Sequence, residues 1–449
     1  MIDNRTGLVL DLAPSPRRCD MPAGWTTWGA SVARTQEFAP WRADSYGFGA
    51  SLGDHAAARG AALGEAVERY CGNAVPDSFA VTGRSFSQLD RAALDPRRLA
   101  LYSQRQYRTP GFPFVPFTAD LPVAWAEGMD LHAGEPALVP ASLAYLDYVH
   151  GPRAGEPPTH SPAYSGIACG TSRQAALRSA LEELLERDAT SIWWASGTPT
   201  TAWDDDGVIT GRLGRPGDRG ELAVRLLDVP NEFEVPVVAA LVEDVADGVI
   251  GFGSACRADH AAAAAKALVE ALGVLRLGRD LDDPASDVWE AVRTGRVEEH
   301  VYLPHRPDRH YLDDARDPDP HNPWRRLSDL PPVAQLHLDP RWQREALGRL
   351  RPTTSAPLPA AATTRTAASY LNLLAARGIG AYAVDLTTPD VAACGLHVVR
   401  VVAPELVGNG PPAFPLRGGT RLYDVPRELG WVGRTLTEDD LVTAPIPLA

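Results

Sequence analysis

A mixed α+β architecture, broadly of the α/β class, is predicted for this chain by three observations. Strand-sized apolar runs alternate with helix-sized segments along most of the sequence. Two glycine-containing segments, 46–53 (YGFGASLG) and 164–172 (YSGIACGTS), each lead directly into a helical stretch. With 449 residues, 45% of them hydrophobic, the chain is long enough to bury a large core.

In chain order, residues 1–42 are broken by prolines and are expected to be irregular, ahead of one domain over 43–449. The first helix follows the glycine turn and ends near Tyr70, because Leu63, Ala66, Val67 and Tyr70 recur at helical spacing. Residues 75–160 read as loops and brief strands, and a second helix is expected over about 173–194. Segments 223–230 and 235–245 are short, rich in β-branched residues and bounded by breakers, so they read as strands. The run AAAAAKALVEALGVLRL at 261–277 is helical by propensity alone. Residues 280–360 are rich in Pro, Asp and Arg and are expected to form a surface excursion. A helix over 367–380 with a glycine stop and strands over 381–388 and 396–406 complete the domain.

Composition excludes several functions. The net charge of −14, from 57 acidic and 43 basic residues, leaves no basic field for a nucleic acid backbone. The longest apolar stretch, 235–242, is strand-sized, and the N-terminus has no signal-peptide pattern, so no membrane association is expected. Five scattered cysteines with no C-x-x-C pair fit a reduced, cytoplasmic chain. Lys266 is the single lysine among the 43 basic residues, the bias of a GC-rich coding sequence, so arginine is expected wherever lysine is merely convenient.

The chemistry is carried by an internal echo. Residues 62–69 (ALGEAVER) recur as 180–187 (ALEELLER), each A-L-x-E-x-x-E-R, each following a glycine turn. On a helix, i and i+3 are neighbours, so Glu65 and Glu68 share a face, as do Glu183 and Glu186. Packed together, the two helices could bring four carboxylates to one site, which needs cations, and hard oxygen ligands suit Mg2+ beside phosphate. Arg69 and Arg187 would supply forked donors to the same phosphates.

These helices, with SGIACGTS before the second and ERDATSIWW closing it, resemble the YcaO superfamily. The late segment 384–406 (VDLTTPDVAACGLHVVRVVAPEL) is similar to that family's D-x-T…V-x-R-V-x-x-P-x-L block, and 418–426 (GGTRLYDVP) also matches. The resemblance implies a YcaO-like fold with a nucleotide site between helices, binding ATP and Mg2+. It also implies phosphorylation of a backbone amide oxygen after attack by a Cys, Ser or Thr side chain, leaving a thiazoline or oxazoline in a ribosomal precursor peptide. Carried over by position, Glu65, Glu68, Glu183 and Glu186 hold the metal, and Arg69, Arg187 and Ser165 contact the nucleotide. Azoline-forming members end in a proline-rich tail whose carboxylate reaches the site; here Pro445 and Pro447 fit that spacing and Ala449 would carry the carboxylate. Only about 45 residues precede the first motif, so a separate E1-like or ThiF-like leader-binding partner is expected, and the family implies a homodimer.

Some positions depart from the pattern. Phe48 stands where the family's glycine turn carries Lys, Ala61 where it has Ser, Ala175 where an acid is frequent and Ser179 where it has Gln. These departures keep two other readings open: a YcaO-like scaffold or regulatory subunit without its own ATP chemistry, and a thioamide- or amidine-forming enzyme.

Overall fold

The glycine-rich segments that lead into the helices are themselves strands. The computed structural model describes all residues except 17, 40–42, 215–221, 320–321, 361–363 and 448–449. Residues 46–52 are the third strand of an antiparallel sheet of β1 (Val9–Pro14), β2 (Trp25–Val32) and β3 (Tyr46–Leu52). The stretch 1–42, expected to be irregular, therefore contains two strands. Gly47 and Gly49 alternate onto one face of β3 because helix α1 (His55–Asn73) lies directly on it. A Cβ at Gly49 would stand 2.1 Å from the Ala58 carbonyl oxygen and 2.2 Å from the Ala62 nitrogen. Close backbone approach, rather than a turn, is what these glycines permit.

A six-stranded sheet has the order β4 (Val81–Arg84), β5 (Val123–Asp130), β13 (Tyr382–Asp385), β14 (His397–Val402), β7 (Ile167–Gly170), with β6 (Glu135–Pro140) also paired to β5. A five-stranded sheet runs β11 (Ile250–Cys256), β10 (Val237–Asp244), β9 (Leu222–Asp228), β8 (Ala202–Asp204), β12 (Ser355–Pro357). Helix α2 (Arg173–Ser196) follows β7, capped by the Ser172 hydroxyl on the Ala175 N–H, and stops at Gly197 with φ of 72°. Helix α3 (His260–Asp282) follows β11, capped by Asp259 on the Ala262 N–H, as Asp54 caps α1.

These three strand–cap–helix units close a ring. Helix α1 packs between β3 and β7, α2 between β7 and β11, and α3 between β11 and β3. The segment 280–360 is not a surface excursion. It holds short helices at Asp287–Arg293, Leu312–Ala315, Leu330–Leu336 and Pro340–Ala346, whose Trp289, Tyr311 and Trp342 are buried in the α3 core. The C-terminal tail is tied along α2: Val442 donates to the Ala195 carbonyl (2.8 Å) and Trp194 Nε1 donates to the Ala444 carbonyl (2.7 Å). Among the described residues, no helix is long and apolar enough to cross a membrane.

Candidate nucleotide and metal site

The E-x-x-E-R residues sit at the junctions of the ring, each tied to a neighbouring strand. The first glutamate of each pair bonds its own unit: Glu65 Oε2 accepts from the Phe48 N–H (3.1 Å) and Glu183 Oε2 from the Gly166 N–H (3.1 Å). The second reaches across the ring. Glu68 Oε1 accepts from the Cys169 N–H of β7 (2.7 Å), and Glu186 Oε1 from the Ser254 hydroxyl of β11 (2.7 Å). The four carboxylates are thus strung along two junctions instead of meeting at one point. Among the described residues, no three His, Cys, Asp or Glu side chains are placed to cage an ion unaided.

Burial favours the neutral form of the two glutamates that reach across the ring. At Glu68, desolvation outweighs the Cys169 N–H, and the charges of Glu183 and Glu65 add to it, pushing the carboxyl up to about 8. Burial also raises Glu186, against the pull of Arg187 and the Ser254 hydroxyl. Cys169, whose backbone serves Glu68, has its thiol pushed up to about 12 by burial and by that carboxylate, so it is no nucleophile at neutral pH.

The two arginines differ. Arg69 is engaged, with Nη2 3.3 Å from Glu65, Nε 3.7 Å from Asp44 and its guanidinium 4.7 Å from the Tyr164 ring centroid. Arg187 lies 3.5 Å from Glu186 and 3.9 Å from Glu183, yet its buried Nε and Nη1 have no hydrogen-bond partner. Burial disfavours its charge, but the fields of Glu186, Glu183 and Glu270 keep it ionised. Ser165 Oγ donates to Asn409 Oδ1 (3.1 Å), joining the loop before β7 to the loop after β14. Ala449 lies outside the described residues.

One residue escaped the sequence reading. Arg400, in the middle of β14, is 4% exposed, its Nε is without a partner, and its Nη1 donates to the Tyr164 carbonyl (3.3 Å). Burial lowers it to about 10, while the Glu183 charge opposes that shift. An arginine inside the apolar strand HVVRVV was the available signal, since a strand core has no ordinary use for one. Beside Arg187 opens a cleft lined by Thr190, Trp194 and Phe112, by Asn409, and by tail residues Leu441 to Ile446.

A family model described as YcaO cyclodehydratase, ATP- and Mg2+-binding, matches residues 47–407. The chain belongs to the YcaO family. An uncharacterized protein of Methanothermobacter thermautotrophicus is 29% identical over 193 residues, 42% of this chain and 45% of that relative. A heterocyclase solved in complex with substrate and cofactor superposes with a TM-score of 0.69 at 19% identity, over 98% of this chain and 55% of that one. The YcaO protein of Methanopyrus kandleri, solved with AMPPCP and Mg2+, has a TM-score of 0.53 at 19% identity, over 90% of each chain. This chain thus spans about half the length of the first two.

The YcaO site of this chain fits the family's ATP and Mg2+. Buried guanidinium nitrogens that make no hydrogen bond, Nε and Nη1 of Arg187 and Nε of Arg400, are donors with capacity for a further anionic acceptor. Mg2+ seldom needs an all-protein cage, because one or two carboxylates complete a shell shared with phosphate oxygens and water. Glutamates strung along two junctions suit that division of ligands.

Proposed function

We propose that this YcaO protein is an ATP-dependent cyclodehydratase acting on a ribosomal precursor peptide. In this reading a Cys, Ser or Thr side chain of the peptide adds to the preceding amide carbonyl, the former amide oxygen is phosphorylated, and phosphate leaves as the C=N bond of a thiazoline or oxazoline forms. ATP supplies the phosphoryl group that makes that oxygen a leaving group. Such transfer depends on positioning and charge neutralisation, which this chain's own residues supply. Arg187 and Arg400 neutralise phosphate from within a buried wall, while Glu65, Glu68, Glu183 and Glu186 hold the metal. Ser165, fixed by Asn409, is assigned to the nucleotide with Arg69. The tail carries Pro445 toward the cleft beside Arg187, and the Ala449 carboxylate is proposed as the group that moves the proton.

The observation that carries the reading is Arg187, a largely buried cation whose Nε and Nη1 make no hydrogen bond, Nη1 standing 3.5 Å from Glu186, at the border of a cleft lined by the chain's own tail. A precursor peptide, an E1-like or ThiF-like leader-binding partner and a homodimeric state are proposed with it. The test is incubation of peptide, partner and protein with MgATP, reading released phosphate and the peptide's mass. One water lost from the peptide per phosphate released is expected. Phosphate-free, unmodified mixtures would refute the reading.

One observation favours the scaffold alternative. The Phe48 ring packs 6.0 Å from the Trp25 ring, with Arg276 5.9 Å above it, so β3 directs no side-chain cation to the nucleotide and Arg69 is left as the cation of the first unit. The same incubation separates the two, since a scaffold releases no phosphate unless an active paralogue is present.

A further inference from the structure

The cleft beside Arg187 has the size and the walls of a pocket for one aromatic ring. It measures about 150 Å3, and Phe112, Trp194, Trp324, Leu416, Leu441 and Ile446 supply its apolar lining. An apolar cavity of about that volume takes a benzene ring. The walls are fixed in advance. The Phe112 ring stands 4.9 Å from Tyr102, 5.8 Å from Tyr107 and 6.2 Å from Phe414, and the Trp324 ring 5.0 Å from Trp342. The lining loop after β14 is pinned by three side chains. Ser191 Oγ donates to the Gly408 carbonyl (3.3 Å), Asn322 Nδ2 to that of Ala413 (3.0 Å) and Gln106 Nε2 to that of Pro415 (2.7 Å).

The same lining carries polar atoms that the protein leaves unused. Thr190 and Trp324 are 1% and 4% exposed, and neither Thr190 Oγ1 nor Trp324 Nε1 makes a hydrogen bond. A threonine inside a helix ordinarily returns its hydroxyl to the carbonyl one turn earlier; Thr190, within α2, does not. Arg187 Nε and Nη1 make no hydrogen bond either, at the border of the same cleft. Buried donors of this kind suit acceptors that a ligand brings. Among the described residues the tail is not that ligand. It lines the cleft from Leu441 to Ile446, and Pro447 then lies in a separate pocket with Val274, Val333 and His337. An extended peptide meets both demands, with main-chain carbonyls for the donors and a side chain for the apolar walls.

The proposed reaction says which side chain. The oxygen that is phosphorylated belongs to the residue ahead of the cyclised Cys, Ser or Thr, and the Cα of that residue is one bond from the reacting carbon. A phosphate held by Arg187 therefore sets this residue's side chain beside the cleft that Arg187 borders. The residue after the cyclised one is further off by the whole of the new ring.

We infer that this cleft is a specificity pocket for an aromatic side chain on the residue immediately ahead of the cyclised one. The inference rests on the cyclodehydratase reading. Calorimetry on protein loaded with Mg2+ and a non-hydrolysable ATP analogue tests it with acetylated, amidated pentapeptides Gly-X-Cys-Gly-Gly, X being Gly, Phe or Trp, and with Gly-Gly-Cys-Phe-Gly. The Phe peptide is expected to bind at least about tenfold more tightly than the Gly peptide, the effect of burying one such side chain, and Phe after the Cys should give no gain. Ala195→Phe, which fills the cleft from α2, should abolish the preference, and Phe112→Ala, which widens it, should move the preference to Trp. Both variants should keep wild-type affinity for the ATP analogue, with thermal melting to verify folding. Equal or undetectable binding of the Phe and Gly peptides by the wild type would overturn the inference and leave the cyclodehydratase reading standing. So would a preference for Phe after the Cys, or a folded Ala195→Phe that loses the analogue, which would make the cleft a nucleotide pocket. A Phe preference in a protein that, with MgATP and partner, removes no water from the peptide would overturn the reading and the inference together.

Discussion

Glu68 shows how a single residue couples the site to stability. Burial and like charges raise its carboxyl to about 8 from an ordinary 4.5, so the folded chain holds this proton more tightly than the unfolded one. The contribution of the group to stability is full below pH 4.5 and is lost as pH rises through about 8. In metal-free protein, the melting temperature of wild type relative to Glu68→Gln should fall between about pH 5 and 8. Thermal melts of both proteins across that range measure it, and parallel curves would contradict it. The glutamates were legible because i, i+3 spacing repeated twice is rare by chance. Arg400 was marked in the sequence only by standing inside an apolar strand, without periodicity, and that it is buried there is seen in three dimensions alone.

At the scale of elements, the helices and late strands were legible from propensity and breakers, while the glycine segments were misread. Glycine spaced by two looks like a turn until a helix is known to lie on it, and that contact is tertiary. The consequence is measurable at Gly49. Substituting Ala there drives a methyl into the backbone of α1, which cannot yield as a side chain can, and should cost about 2–3 kcal/mol. Gly60, exposed on α1 with no atom within 4 Å of an added Cβ, is the opposite case: Gly60→Ala should gain about 0.5–1 kcal/mol. Urea denaturation of the two variants gives both signs in one experiment. The segment 280–360 was misread for a related reason. Its helices are too short to show a period, yet its tryptophans and Tyr311 cover α3.

For the whole molecule, the ring of three units explains why the site needs distant parts of the chain at once. Two copies of the motif were visible in the sequence, and the third was hidden because Gly273 and Val274 stand where Glu and Arg recur. The tail is the other long-range component, fixed by the Trp194 and Val442 hydrogen bonds. Ending the chain after Leu441 strips one wall of the cleft without touching the carboxylates. That variant should bind nucleotide as wild type does and form no azoline, read by calorimetry and peptide mass; full product formation would refute the role of the tail.

The E-x-x-E-R residues are proposed to bind Mg2+ and nucleotide in this chain. Calorimetric titration of the purified protein with Mg2+ and a non-hydrolysable ATP analogue, beside a folded Glu183→Ala/Glu186→Ala variant, is the test. Saturable binding in the wild type, abolished in the variant, is the predicted result. No binding by well-folded wild type, or equal binding by the variant, would contradict it.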